Sequence, residues 1–254
     1  MVSIGGMVED SAGDPGGDRK PAHARFRDLA EIAIAYGLIL AVEWSPRPVQ
    51  RWLWWVAAAA VVFITAISFG RVNTSLDAMG LRRKNFLRSL WIVAVALGLA
   101  VAAAVAAHHF HTLRVSNGPW GGPVWLLENY WAYAIWAAVQ QFLLQCFFLA
   151  RLLRLLGRPR LAALAAAFIF ACAHIPSPIL APITLVWGIT ACLLFLRYRN
   201  LYTLAIAHAI LGVAVAVTVP GTVDHNMRVG LGYLTYNPHR HYRHARWRER
   251  SAQP

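Results

Sequence analysis

Three amides and two imidazoles stand inside apolar runs of this chain. Gln140, Gln141 and Gln145 lie in WAAVQQFLLQCFFLARLLR, His174 closes FACAH, and His208 opens HAILG. In lipid a strongly polar side chain is costly and faces the bundle interior, so such residues mark either packing contacts or a site. A neutral imidazole can titrate near neutrality and serve as a general base. A glutamine amide donates and accepts hydrogen bonds but cannot take a proton at neutral pH. Taken alone, the glutamines read as glue between helices, worth about 0.6 to 2 kcal/mol each. A metal site is a weaker alternative. His174 and His208 with Cys172 or Cys146 would offer the nitrogen and sulfur donors zinc prefers. No HExxH occurs, however, no carboxylate is at hand, and Cys172 lies on a different helix face from His174. Neither a metal nor a cofactor is expected.

The elements that position these residues follow from composition. The 254 residues are 58% hydrophobic and only 14% charged, with a mean hydropathy of +0.48, too oily for an ordinary soluble domain. Apolar runs at Leu29 to Val42, Trp52 to Phe69, Phe86 to Ala107, Val124 to Ala150, Leu161 to Ile175, Ile179 to Leu196 and Leu201 to Val219 mostly approach the roughly 20 residues a span needs. The fold class expected is all-α, a polytopic transmembrane helix bundle of about seven spans, within six to eight. Glu31 interrupts the first run and the fifth is short, so these two are the weakest spans.

The net charge of +13 does not indicate nucleic acid, because the basic residues fall between apolar runs. Arg19, Lys20, Arg25 and Arg27 precede the first run. Arg71, Arg82, Arg83, Lys84 and Arg88 follow the second, and Arg151, Arg154, Arg158 and Arg160 follow the fourth. By the positive-inside rule these alternate loops and the Arg197/Arg199 loop face the cytoplasm, with the amino terminus inside. Seven spans would put the basic tail HRHYRHARWRER outside, against that rule, so one run is expected to be absent, re-entrant or supplemented. The tail is expected to be disordered or to lie on anionic lipid headgroups. Residues 1–24 read as a disordered tail with no cleavable signal. The three cysteines read as small buried hydrophobes. Abundant alanine and arginine in place of lysine suggest a GC-rich bacterial genome, hence a bacterial inner membrane.

Depth relates the polar positions. At about 1.5 Å per residue, Gln140 stands about 16 Å from Arg151, His174 about 21 Å from Arg160, and His208 about 12 Å from Asn200. These comparable depths on three helices would let the imidazoles and amides meet. Gln141 and Gln145 stack on one helix face, with Gln140 about 100° round from Gln141.

Over roughly Ala134 to Val217 the sequence resembles the CPBP family, the CAAX proteases and bacteriocin-processing enzymes, also called the type II CAAX prenyl endopeptidase and lysostaphin-resistance-like family. The family pattern is Glu-Glu-x-x-x-Arg, then Phe-x-x-x-His, then His-x-x-x-Asn. Here QQFLLQ occupies the first motif, with Gln140 and Gln141 for the carboxylates and Gln145 for the arginine. FACAH, Phe170 to His174, keeps the second intact. HAILG keeps His208 but has Gly212 where asparagine is usual. Concerted loss of charge is physically consistent, since an arginine beside two amides would be an unpaired buried cation.

In active members the resemblance implies that Glu, helped by His, activates water against a peptide bond while His and Asn stabilise the oxyanion. Here it implies His174, His208, Gln140 and Gln141 at the catalytic positions, with Gln145 and Phe170 against substrate. The glutamines cannot be the general base, and Gly212 removes an oxyanion donor. Two functions follow. One is an intramembrane endopeptidase-like protein, with reduced or altered catalysis, acting on a hydrophobic or lipidated peptide. The other is a pseudoprotease that binds such a peptide or protein without cutting it. The expected organisation is N-terminal membrane helices over 25–120, a CPBP-like four-helix core over 121–220 and a basic tail over 221–254.

Overall fold

The computed structural model describes residues 22–46, 48–50, scattered positions between 52 and 83, 85–114 and 123–237. Every regular element in them is helical. The helices are α1 (Ala22–Glu43), α2 (Phe86–His109), α3 (Pro123–Phe142), a π-helical stretch (Leu143–Leu149) leading into α4 (Ala150–Leu156), α5 (Pro159–Cys172), α6 (Leu180–Tyr198), α7 (Leu201–Thr218), and two short helices, α8 (Gly221–Asp224) and α9 (Gly230–Leu234).

Among the described residues four segments are long and apolar enough to cross a membrane. They are Phe86–His109, Glu128–Leu156, Leu180–Tyr198 and Leu201–Thr218, with Pro159–Cys172 a shorter apolar helix. Large apolar side chains cover their outward faces, among them Leu97, Val101, Trp131, Ile135 and Phe168. A surface of this kind suits lipid and would be an aggregation hazard in water. The chain is thus an integral membrane protein built as an all-α bundle. The run Trp52 to Phe69 lies largely outside the described residues, as do the expected disordered segment through residue 21, the SNGPWGGP loop except Pro123, and the basic run Arg240 to Arg250.

Small residues set the helix spacing. Ala162, Ala163, Ala166 and Ala167 of α5 are fully buried and pack against α6. A Cβ on Gly188 would stand 3.0 Å from that of Ala167. Lipid tails give helices no hydrophobic reason to associate, so close backbone approach of this sort supplies the attraction. At one end of the bundle Asn85 Nδ2 donates to the Tyr198 carbonyl at 2.9 Å, and Leu201 N donates to the Gly80 carbonyl at 2.9 Å. These bonds tie the start of α2 to the α6–α7 turn. Gly80 has φ +68, and a Cβ there would meet Arg199 O at 2.9 Å, so the turn requires glycine.

Two readings of the basic residues change with the structure. Arg151 and Arg154 belong to α4, not to a loop, and Arg151 is buried. Arg151 Nη2 pairs with Glu31 at 2.8 Å and Arg154 Nη2 with Asp28 at 2.6 Å, while the Arg151 guanidinium lies 3.5 Å from the Phe147 ring centroid. The acidic interruption of the first apolar run is therefore a partner for a buried cation. At the opposite end, residues 221–237 of the expected tail fold back over the bundle. Gly230 N donates to the Ile175 carbonyl at 3.0 Å, and Arg114 Nη1 donates to Asn226 Oδ1 at 2.5 Å.

Candidate functional site

The α3 helix brings Gln140 and Gln141 to the middle of the bundle, and the π-helical stretch follows one residue later. Wider i→i+5 turns of this kind occur frequently at functional sites. Here the stretch buries Leu144, Gln145, Cys146, Phe147, Phe148 and Leu149 in succession. From it Gln145 Nε2 donates to Gln141 Oε1 at 3.3 Å, and the amide nitrogen of Gln141 faces Nδ1 of His208, on α7, at 3.0 Å. The three groups form a buried line with one direction of donation, Gln145 to Gln141 to His208.

His174 sits in the turn after α5. Its Nδ1 lies 2.8 Å from the Phe170 carbonyl oxygen. A carbonyl can only accept, so this nitrogen carries the proton and Nε2 keeps its lone pair. At His208 the order is reversed, since Nδ1 accepts from an amide and Nε2 therefore holds the proton. Phe170 contacts both imidazoles, with ring centroids 4.8 Å from His174 and 5.9 Å from His208. Trp187 of α6 closes on His208 at 5.9 Å.

Gln140, His174 and His208 line one cavity of about 1600 Å³. Gln141 and Gln145 do not line it and lie buried behind His208. Val95 and Leu99 of α2 and Val186 and Thr190 of α6 border the same cavity and are exposed. Among the described residues the chamber therefore opens through the flank of the bundle between these two helices. Among the described residues no three histidine, cysteine or carboxylate side chains group closely enough to hold a metal ion.

Two chamber residues were not singled out by sequence reasoning. A Cβ built on Gly212 would stand 1.8 Å from the Tyr133 hydroxyl, so that phenol oxygen occupies the space a side chain at position 212 would take. Gly212 lies one turn beyond His208, on its face. The hydroxyl thus brings a hydrogen-bond donor from α3 to the face of α7 that carries His208. Tyr133 lies two turns before Gln140, which is the only sequence signal that it shares the chamber. The second residue is Glu43, which ends α1 and lines the chamber wall. It lies well outside the stretch that carries the motifs, so their spacing could not find it.

A bundle of apolar helices around a chamber, with polar groups set among apolar walls, defines a polytopic membrane protein with an internal cavity. Residues 121–214 match the family model described as Rce1-like, type II CAAX prenyl endopeptidase Rce1-like. The CPBP resemblance holds over that stretch, which contains α3 to α7 as far as Ala214. Searches of curated proteins and of solved structures found no match.

Proposed function

We propose that the chain is a CAAX-protease-like membrane protein that takes a hydrophobic or lipidated peptide into the chamber and holds one peptide bond between His174 and His208. The family match supports a membrane-embedded peptide as the class of substrate. The observation that carries the reading is that both imidazoles line one chamber, with hydrogen-bond partners that assign them opposite tautomers. His174 offers an acceptor and His208 a donor, which is the complement of an amide N–H and a carbonyl. The lateral opening supports entry of an apolar segment directly from lipid.

The same groups outline a metal-free hydrolysis. His174 Nε2 takes a proton from water as its oxygen attacks the carbonyl carbon, and the His208 N–H and the Tyr133 hydroxyl donate to the oxyanion. The tetrahedral intermediate then collapses, the C–N bond breaks, and the proton on His174 passes to the leaving amine. What is missing is a carboxylate to stabilise the imidazolium, because His174 Nδ1 has only a neutral carbonyl as partner. Preorganised charge at such a position is a major source of rate. The reading is accordingly a peptidase-like site with strongly reduced hydrolysis. Its limit is a pseudoprotease that binds without cutting, favoured by the amides at 140 and 141.

Exposed Arg158, Arg160, Arg197 and Arg199 share the end of the bundle where α1 begins. On the positive-inside rule that end and the amino terminus are cytoplasmic, and the bias to alanine and arginine supports a bacterial inner membrane. The test is cleavage of an internally quenched hydrophobic peptide by purified protein in lipid. Gln140→Glu with Gln141→Glu and Gln145→Arg should raise the rate about 100-fold or more over the native chain. The gain should vanish when His174→Ala is added. A folded triple variant with no gain overturns the reading.

A further inference from the structure

Among the described residues the chamber wall carries one carboxyl group, which the hydrolytic groups do not use. Glu43 lies on its wall beside Val42 and Gln50. One oxygen of the carboxyl, Oε2, is buried without a hydrogen-bond partner. The residue is held firmly, since a Cβ on Gly230 would stand 2.4 Å from the Glu43 carbonyl oxygen, and Gly230 N in turn donates to the Ile175 carbonyl beside His174. Helical rise agrees, placing Glu43 about 22 Å from Asp28 and His174 about 21 Å from Arg160. The carboxylate and the His174 imidazole therefore stand at the same level of the bundle.

Among the described residues the guanidinium on the chamber wall is that of Arg114. Its guanidinium donates to Asn226 Oδ1 and to the Ala216 carbonyl, and it does not pair with Glu43. An uncompensated carboxylate against apolar walls is costly, and a cation brought to it forms a strong charge-assisted hydrogen bond. We infer that Glu43 makes the chamber a receptor for a protonated primary amine carried on an apolar body. Either the free amino terminus of a hydrophobic peptide or a lipid-like alkylamine has that chemistry. The inference rests on the chamber being a binding site, as proposed above, and does not require hydrolysis.

The experiment uses the full chain in phosphatidylcholine nanodiscs and reads quenching of tryptophan fluorescence, since Trp136 and Trp187 line the chamber. The probes are dodecylammonium, dodecanol, and one hydrophobic peptide with its amino terminus free or acetylated. The native chain should bind dodecylammonium at least about tenfold more tightly than dodecanol. Glu43→Gln should remove that preference and leave dodecanol affinity unchanged, whereas Glu43→Asp should keep part of it. A matching preference for the free over the acetylated peptide, lost in Glu43→Gln, makes a peptide terminus the source. Discrimination by the alkylamine alone makes it a lipid-like amine. Equal binding of amine and alcohol by the native chain, or a preference that survives Glu43→Gln, overturns the inference while the chamber stands. Failure of all four probes to bind overturns both.

Discussion

At the scale of the residue, Tyr133 and Gly212 act as one unit, because the phenol of one fills the volume a side chain on the other would need. Gly212→Asn alone should lower stability by about 1 to 3 kcal/mol through overpacking. Adding Tyr133→Ala should recover most of the loss. Thermal unfolding of the purified variants measures both, and a single variant as stable as the native chain would contradict the shared volume. This pairing explains why the site was only partly legible. His174, His208 and the three glutamines stand out in the sequence because polarity is rare in their runs and helical rise relates their depths. The loss of asparagine at 212 was legible too, but its compensation was not, since the replacement comes from another helix and no spacing within α7 predicts it. Glu43 looks like the polar end of an apolar run until the fold brings α1 to the chamber.

At the scale of the element, the buried pairing of Arg151 with Glu31 binds α4 to α1. Removing one member leaves the other charge buried, so Arg151→Met should cost about 3 to 5 kcal/mol, and Arg151→Met with Glu31→Leu should return near the native value. Denaturant titration in detergent reads the difference, and additive losses in the double variant would argue against a buried pair. Glu31 and Arg151 are both visible in the sequence, as a break in one run and the end of another. Their partnership is not, because it joins positions 120 residues apart. Regular helical arithmetic also misses the π-helical stretch, where successive residues are all buried and no 3.6-residue period applies. The folded segment after α7 adds a pH-dependent contribution. Asp224 is buried, with Oδ1 accepting from Asn226 N at 2.9 Å and Oδ2 unpartnered. Burial outweighs Arg114 and the nearby backbone N–H groups and raises its carboxyl above the usual range. The folded chain thus holds that proton more tightly than the unfolded one, so this contribution is complete in acid and is lost as pH rises through the folded-state value. Asp224→Asn should flatten the slope of unfolding midpoint against pH above the ordinary carboxylate range. An unchanged slope would show that Asp224 is not its source.

At the scale of the whole molecule, the proposed function joins the apolar exterior, the polar chamber and the lateral gap that the described residues leave between α2 and α6 into one route, by which an apolar ligand would leave lipid without crossing water. The membrane class was legible from composition and run length alone, because lipid imposes a minimum length on every span. The chamber was not, since helix packing and the folded end at 221–237 create it. In the proposed function a peptide reaches the histidines inside this chamber. The most direct measurement is photolabelling of the native chain in lipid with a hydrophobic peptide carrying a diazirine, followed by mapping of the labelled residues. The account predicts label on Trp136, Trp187 and Leu211, which line the chamber. Label confined to Trp131, Ile135 and Phe168, on the exposed outer faces of α3 and α5, would contradict it.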